Sequence, residues 1–364
     1  MTKTKEITLV QTATILISTV IGVGVLRLPL IAVEYGDTAA PILTFVATIC
    51  SFIMLIVLCK LGIRFPNQTI IEYSEEIVGK WLGKLYSIVV IVFFTILTGL
   101  TSREFGAVVV TAVLKETPIE VTVIVMLLLA AIFTRDDLNT FTYIHNFYVP
   151  AILIPAIIIV AVSLKDANVL YLQPIVATVD KDMFTGVLTI TALFQGAFIM
   201  SLIIPYMQKE KKAIKAAFWG ILISGGLYVM IVIASLAVFG PEELKKTMWP
   251  TLELARATSL PGNLLQRLDV VFLAVWVTAV FTTIFSSYMF TVYSMSKFLK
   301  LKNHKLFTFF ILPIVFVIAM IPQDTVEMYQ IISIFGRLGL IATIVIPIIL
   351  LFIAKIRKLK AKGE

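Results

Sequence analysis

The chain has 364 residues, 59% of them apolar and 14% charged, with a formal net charge of +8 and a mean hydropathy of +1.01. Soluble domains run at about 45–50% apolar and about 25% charged, so a water-soluble fold is excluded. Nor is the positive charge a nucleic-acid signature, because the lysines and arginines stand in short islands between apolar runs of about 20 residues, the length that crosses a hydrocarbon core of about 30 Å.

The opening MTKTKEITLVQ lacks the ordered charged, apolar and small-residue regions of a cleaved signal, so the first span is expected to be retained. It runs over Ile7–Glu34 and carries Ile21-Gly22-Val23-Gly24-Val25 near its centre, with Pro29 beyond. Each glycine weakens a helix by about 1 kcal/mol, and proline removes a backbone donor. The second span, Ala39–Ile63, holds Cys50 and Cys59. Nine residues at ~1.5 Å each separate them, too far for a disulfide.

Between spans two and three, Asn67–Gly83 places Ile70, Ile71, Ile77, Val78, Trp81 and Leu82 near one helical face, the pattern of an interfacial helix. Span three, Leu85–Leu114, carries Thr98, Leu100, Thr101 and the intramembrane charges Arg103 and Glu104. Spans four and five are expected at Ile119–Phe133 and Tyr143–Leu164. Span six, Phe184–Met207, contains Phe194-Gln195-Gly196-Ala197-Phe198, with Pro205 beyond, and is weakened at mid-membrane like span one. Span seven is Ile214–Phe239. The outer connector Gly240–Gly262 follows, with prolines 241, 250 and 261 and a short helix over Thr251–Ala257. Span eight, Leu268–Met295, carries the hydroxyls Thr283, Ser286 and Ser287. Spans nine and ten are Leu306–Ile321 and Tyr329–Ile356, the last containing Arg337.

Twenty of the 30 lysines and arginines fall on the N-terminal side of this arrangement and eight on the other, with Arg103 and Arg337 inside spans. The imbalance predicts cytoplasmic termini. Ten spans divide into two halves of five, about 7–164 and 184–356, and an odd number per half inverts the second relative to the first. The predicted fold is therefore an all-α membrane protein, a single permease-like domain over residues 1–364 built as a 5+5 inverted repeat with discontinuous helices one and six. A break at this depth is tolerated where it is buried in protein or lines a cavity, and its freed carbonyls and helix ends suit a zwitterion. Close packing through small residues is the other reading of such glycines, but their recurrence in both halves favours a site.

The run IGVGVLRLP, the stretch FPNQTIIEYSEEIVGKWLGK and the ten-span length together resemble the spore germination permease family, which is similar to the amino acid/polyamine/organocation transporters. The resemblance implies a nutrient germinant receptor subunit in the spore inner membrane, which binds a small nutrient such as an amino acid at mid-membrane. It also implies two partner subunits, one a larger membrane protein and one a lipoprotein. An amino-acid permease of the plasma membrane and a ligand-gated ion pathway are the alternatives. Carried onto this chain, the pattern gives Gly22, Val23 and Gly24 in span one and Phe194, Gln195 and Gly196 in span six, and the apolar side chains near the breaks, Leu100, Phe194 and Phe198 among them, hint at a small neutral ligand. Thr98, Leu100 and Thr101 form one wall, and Thr283, Ser286 and Ser287 resemble a hydroxyl set that binds sodium in some relatives. Hydroxyls in membrane helices also bond their own backbone. The lysine that some proton-coupled relatives carry in span five is missing from Tyr143–Leu164.

Glu104 is expected to pair with a basic group on another helix, Arg337 being the candidate, because an intramembrane ion is costly without a partner. Arg103 is expected to snorkel outward. His145 and His304 are placed near helix ends without a second ligand, so no metal, cofactor or catalytic set is expected.

Overall fold

The computed structural model describes residues 5–174, 181–258, 268–301 and 303–360. Lys3, Pro261, Arg267, Lys302 and Lys362, used above for topology and for the connector, lie outside the described residues. The helices in chain order are α1 (Leu9–Val20), α2 (Gly24–Gly36), α3 (Ala40–Arg64), α4 (Ile70–Val78), α5 (Lys80–Ala112), α6 (Ile119–Thr134), α7 (Leu138–Ser163) and α8 (Lys181–Ala192). A 3₁₀ turn over Gln195–Ile199 leads into α9 (Met200–Ile203), followed by α10 (Ala213–Leu244), α11 (Pro250–Ala257), α12 (Leu268–Phe298), α13 (Thr308–Ala319), α14 (Thr325–Leu340) and α15 (Ile346–Ile356). A π turn over Ile341–Val345 joins the last two.

Polarity is arranged inside out. Phe45, Val92, Ile132, Phe310 and Phe352 stay exposed on the outer faces of α3, α5, α6, α13 and α15, while Thr12, Ser18, Thr19, Gln195, Ser224 and Ser286 are buried within. An apolar exterior around hydroxyl-bearing helices suits lipid, where polar groups must find partners internally. Among the described residues six helical stretches are long and apolar enough to cross a membrane, and the pair Asp182–Ala192 and Gln195–Tyr206, bent by 47°, makes up to seven. Leu9–Val20, Ile119–Thr134 and His304–Ala319 are shorter. At ~1.5 Å per residue a 16-residue helix rises about 24 Å, under the ~30 Å hydrocarbon core, so length by itself does not reach the expected ten.

α1 packs against α10, α7 and α12 near the middle of the molecule, and α10 packs against α3. Helix starts follow their side chains: Thr8 and Gln11 form a capping box on α1, Thr69 and Glu72 another on α4, and Asp137 and Asp324 cap α7 and α14.

The acidic stretch after span two is two helices rather than the single amphipathic helix expected. Ile70, Ile71 and Ile77 are buried against the protein, whereas Trp81 is 88% and Leu82 62% exposed. The cause is Gly79, whose φ of +88° ends α4 and starts α5 without a Cβ penalty, so α4 folds back onto α5. At the crossing, a Cβ on Gly83 would lie 2.5 Å from Glu75 Cα and 2.6 Å from Glu75 N. Backbone cannot yield as a side chain does, so Gly83→Ala is expected to cost about 1–3 kcal/mol. Thermal unfolding of the purified chain checks this, and an unchanged midpoint would contradict the packing.

The described part of the connector after span seven is packed down over the helices. Pro250, Thr251, Leu252, Leu254 and Ala255 of α11 are buried, and Thr251 Oγ1 donates to Val25 O of α2 at 2.7 Å. Arg103 donates to Pro322 O at 2.9 Å, in the turn between α13 and α14.

Candidate ligand-binding site

Span one is interrupted where its glycines stand. The last α1-type bond runs from Ile21 N to Ile17 O at 3.0 Å, and α2 restarts at Gly24. In an unbroken helix the carbonyls of Ser18, Thr19 and Val20 would accept from the amides of residues 22, 23 and 24. Side-chain hydroxyls meet them instead: Thr282 Oγ1 donates to Ser18 O at 2.9 Å, Thr283 Oγ1 to Thr19 O at 3.0 Å, and Tyr228 Oη to Val20 O at 2.7 Å. The break is thus satisfied by α12 and α10, as buried carbonyls require.

Span six is interrupted beside it. After α8 the chain turns at Leu193-Phe194 into the 3₁₀ stretch Gln195–Ile199. A Cβ on Gly196 would come within 3.1 Å of Thr19 O, so the two breaks abut. Gln195 is 1% exposed; its Nε2 donates to Gly336 O of α14 at 2.8 Å, while Oε1 is buried with no hydrogen-bond partner. The bond to Gly336 fixes which way the amide faces.

Between the breaks lies a cavity of about 160 Å³. An engineered cavity of about 150 Å³ holds benzene, so this one suits a ligand of comparably few heavy atoms. Of the residues expected from sequence, Gly22, Val23, Gly24, Leu100, Thr101, Glu104, Gln195, Gly196, Thr283 and Ser287 line it. Thr98, Phe194, Phe198, Ser286 and Arg337 do not. On α5 the lining positions are Leu97, Leu100, Thr101 and Glu104, a stripe of three- and four-residue steps. Thr98 lies one position off that stripe and donates to Phe94 O of its own helix. Phe194 packs on Tyr228, and Phe198 on Phe94 and Phe290. Leu100 also lines a wholly apolar groove with Ile96, Ile314 and Ile318 on the outer surface of α5 and α13.

At the outer end the partners of Glu104 are not those expected. Tyr329 and Arg27 are the groups that act on its carboxyl, whereas Arg337 lines an adjoining vestibule of about 550 Å³. Cavity and vestibule share Arg27, Glu34, Tyr329 and Ser333. The Arg27 guanidinium lies 3.9 Å over the Tyr329 ring, whose hydroxyl accepts from Trp249 Nε1 at 2.7 Å. Arg27 Nε is buried without a hydrogen-bond partner. Around the vestibule Lys245 bridges Asp37 at 3.3 Å and Glu242 at 3.0 Å, and its hydrogen bonds with Glu242 and then Asp37 lift its ammonium above the ordinary lysine range. In the charge count Arg27 is one of the eight basic residues opposite the termini. Its spacing was the available signal, since Gly24, Arg27, Ile31 and Glu34 recur at three and four residues and all face the cavity.

The α12 hydroxyls resembling a sodium set are engaged within the protein. Ser287 Oγ donates to Thr283 O and Ile284 O of its own helix, and Ser286 Oγ contacts Thr19 Oγ1 at 2.7 Å and His145 Nε2 at 3.2 Å. His145 is fully buried inside α7, not at a free helix end. Sequence spacing gives no hint that it reaches α1 and α12.

Broken helices meeting around a mid-bundle cavity, inside an apolar-surfaced helical bundle, define a multi-pass membrane protein of the transporter-like class. Its fold is shared with a nucleobase-cation-symport-1 family transporter, MHP1, solved closed with bromovinylhydantoin bound. That match has a TM-score of 0.69 at 12% identity and covers 93% of this chain and 77% of that one. A Na⁺-coupled sialic acid symporter in a substrate-bound outward-open state matches at 0.68 and 10%, covering 93% and 79%. These likenesses show a LeuT-like fold. The chain itself belongs to the Spore_permease family, described as spore germination protein, whose model matches residues 6–328. It is 27% identical to spore germination protein YndE of Bacillus subtilis (strain 168) over 99% of both chains. It is 24% identical to spore germination protein B2 of the same organism over 99% of this chain and 98% of that one. Spore germination protein GerLB of Bacillus cereus is 22% identical over 95% and 94%. Family and fold are those of permeases rather than enzymes.

Proposed function

We propose that this chain is the transporter-like membrane subunit of a spore nutrient germinant receptor, and that it binds a small amino acid between the breaks in spans one and six. The observation that carries this reading is a pair of unpartnered polar atoms in one small cavity: Gln195 Oε1, an acceptor, and Arg27 Nε, a cationic donor. Buried polar atoms without partners are rare in native structures, and this pair matches an ammonium at one end of a ligand and a carboxylate at the other. Ligand arrival shifts a conformational equilibrium through its differential affinity for two states. A larger membrane subunit and a lipoprotein read that shift in the spore inner membrane. In this reading both termini are cytoplasmic and residues 7–164 and 184–356 are inverted halves of one domain.

The test is equilibrium binding of radiolabelled L-alanine to the purified chain in lipid nanodiscs, beside flux into proteoliposomes. Ser287→Leu adds bulk to the cavity wall and is expected to weaken binding about tenfold or more, at an overpacking cost of about 1–3 kcal/mol, with insertion and unfolding midpoint retained. Unaltered binding in that variant would remove the cavity from the reading. The vestibule that adjoins the cavity favours access from the outer side, so stereoselective flux would mark a permease and binding without flux a sensor.

A further inference from the structure

A groove runs along the crossing of α5 and α13. Ile91, Ile96 and Leu100 of α5 and Ile311, Ile314 and Ile318 of α13 line it, its volume is about 400 Å³, and its exposed wall is apolar. From Ile91 to Leu100 it follows nine residues of α5, about 14 Å at ~1.5 Å per residue. Gly99 makes the crossing close, since a Cβ there would lie 2.7 Å from Ile318 Cγ2 and 3.0 Å from Val315 O. The two helices run in the same direction here. Gly99 meets Val315 and Ile318, and one turn later Arg103 meets Met320 and Pro322.

Arg103 stands at one end of this groove, a turn beyond Leu100 on α5. Its Nη2 donates to Pro322 O at 2.9 Å and its Nη1 lies 3.8 Å from Met320 Sδ. Ile321, between those two residues, lines the groove and is 59% exposed. Among the described residues Arg103 forms no ion pair. The carboxylates of the adjoining turn are turned to backbone, Asp324 accepting from Glu327 N at 2.8 Å and Glu327 from Gln323 N at 2.7 Å. Glu104, next in sequence, lines the cavity between the breaks. A guanidinium carries five N–H donors, and one carbonyl and a thioether do not neutralise it. An ion inside a membrane-spanning segment is costly without a counter-charge.

We propose that the groove is a binding site for one phospholipid of net negative charge, with an acyl chain lying between α5 and α13 and the phosphate on Arg103. An arginine holds two phosphate oxygens through parallel N–H bonds, which supplies the counter-charge that the protein does not. Charge and shape point to the same occupant: a hydrocarbon chain by itself leaves Arg103 unpaired, and a free phosphate leaves the isoleucine wall unfilled. A headgroup with its own cation, such as phosphatidylcholine, offsets its phosphate itself and gains less from Arg103. Leu100 lines both the groove and the cavity, so the lipid tail abuts a residue of the ligand site. The inference does not depend on which ligand that site takes.

The test is native mass spectrometry of the full chain released from detergent, titrated with phosphatidylglycerol or with phosphatidylcholine of the same acyl chains. One phosphatidylglycerol per chain is expected to bind about tenfold more tightly than phosphatidylcholine. Arg103→Gln is expected to remove that preference, and Arg103→Lys, which keeps the charge without the fork, to leave part of it. Ile314→Trp, at an exposed position of the groove, is expected to weaken both lipids alike. Equal binding of the two lipids by unsubstituted protein, a preference that survives Arg103→Gln, or binding unchanged by Ile314→Trp would mean annular lipid only and would overturn the proposal. A dimer that carries no lipid would also overturn it, by assigning the groove to a second copy of this chain.

Discussion

Gly22→Ala is expected to lower the unfolding midpoint sharply and to abolish ligand binding, while Gly24→Ala, two residues away, does little. A Cβ on Gly22 would sit 2.2 Å from Thr283 Oγ1 and 2.9 Å from Thr283 Cβ. Thr283 must turn away or α12 must move, and either loses the hydroxyl that holds Thr19 O at the break. Overpacking contributes about 1–3 kcal/mol, and a buried carbonyl stripped of its donor about 1–3 kcal/mol more. At Gly24 the nearest atom is Leu193 Cδ2 at 3.0 Å, the far end of a flexible side chain. Thermal unfolding of the two variants, with L-alanine binding beside it, separates the positions. Equal effects would mean that the break tolerates a side chain and that Thr283 does not hold it.

The second large effect is expected at Arg27. Replacing it with methionine leaves the Glu104 carboxyl, 4% exposed, without the positive charge that acts on it, and removes the cation from the Tyr329 ring. The two groups make no direct ion pair, so the loss is that of a charge acting across the cavity and of the cation over Tyr329, and about 1–2 kcal/mol is expected. Glu104→Gln in the same chain should restore much of the loss, giving a coupling of about 1–2 kcal/mol in a double-mutant cycle. Arg337→Met should show no such coupling with Glu104→Gln, because Arg337 faces the vestibule. Additive effects for Arg27 and Glu104, or coupling at Arg337, would return the pairing to the one suggested by sequence.

Local composition made the breaks legible. Gly22, Gly24 and Pro29 in one span and Gln195-Gly196 in another weaken their helices where they stand, and no tertiary information is needed to see it. What helical periodicity could not give was the choice of wall residues across a helix–helix crossing. Thr98 and Thr101 are equivalent as residue types, and only the rotation of α5 decides that Thr101 meets the cavity and Thr98 its own backbone. The charges failed for a related reason. Arg27 and Arg337 are both basic residues inside apolar spans, and which one approaches Glu104 depends on how α2 and α14 are set against α5. Tyr228 and His145, which secure the break from α10 and α7, carry no motif at all.

Leu100 has a consequence for which molecules can reach the centre of the protein. This side chain lines both the cavity between the breaks and the groove on the surface of α5 and α13, whose exposed wall is apolar. Leu100 is the residue that the two linings share. An alanine there would open a window from the oily phase, through which an acyl tail or a small lipophilic solute could enter sideways without passing Tyr329.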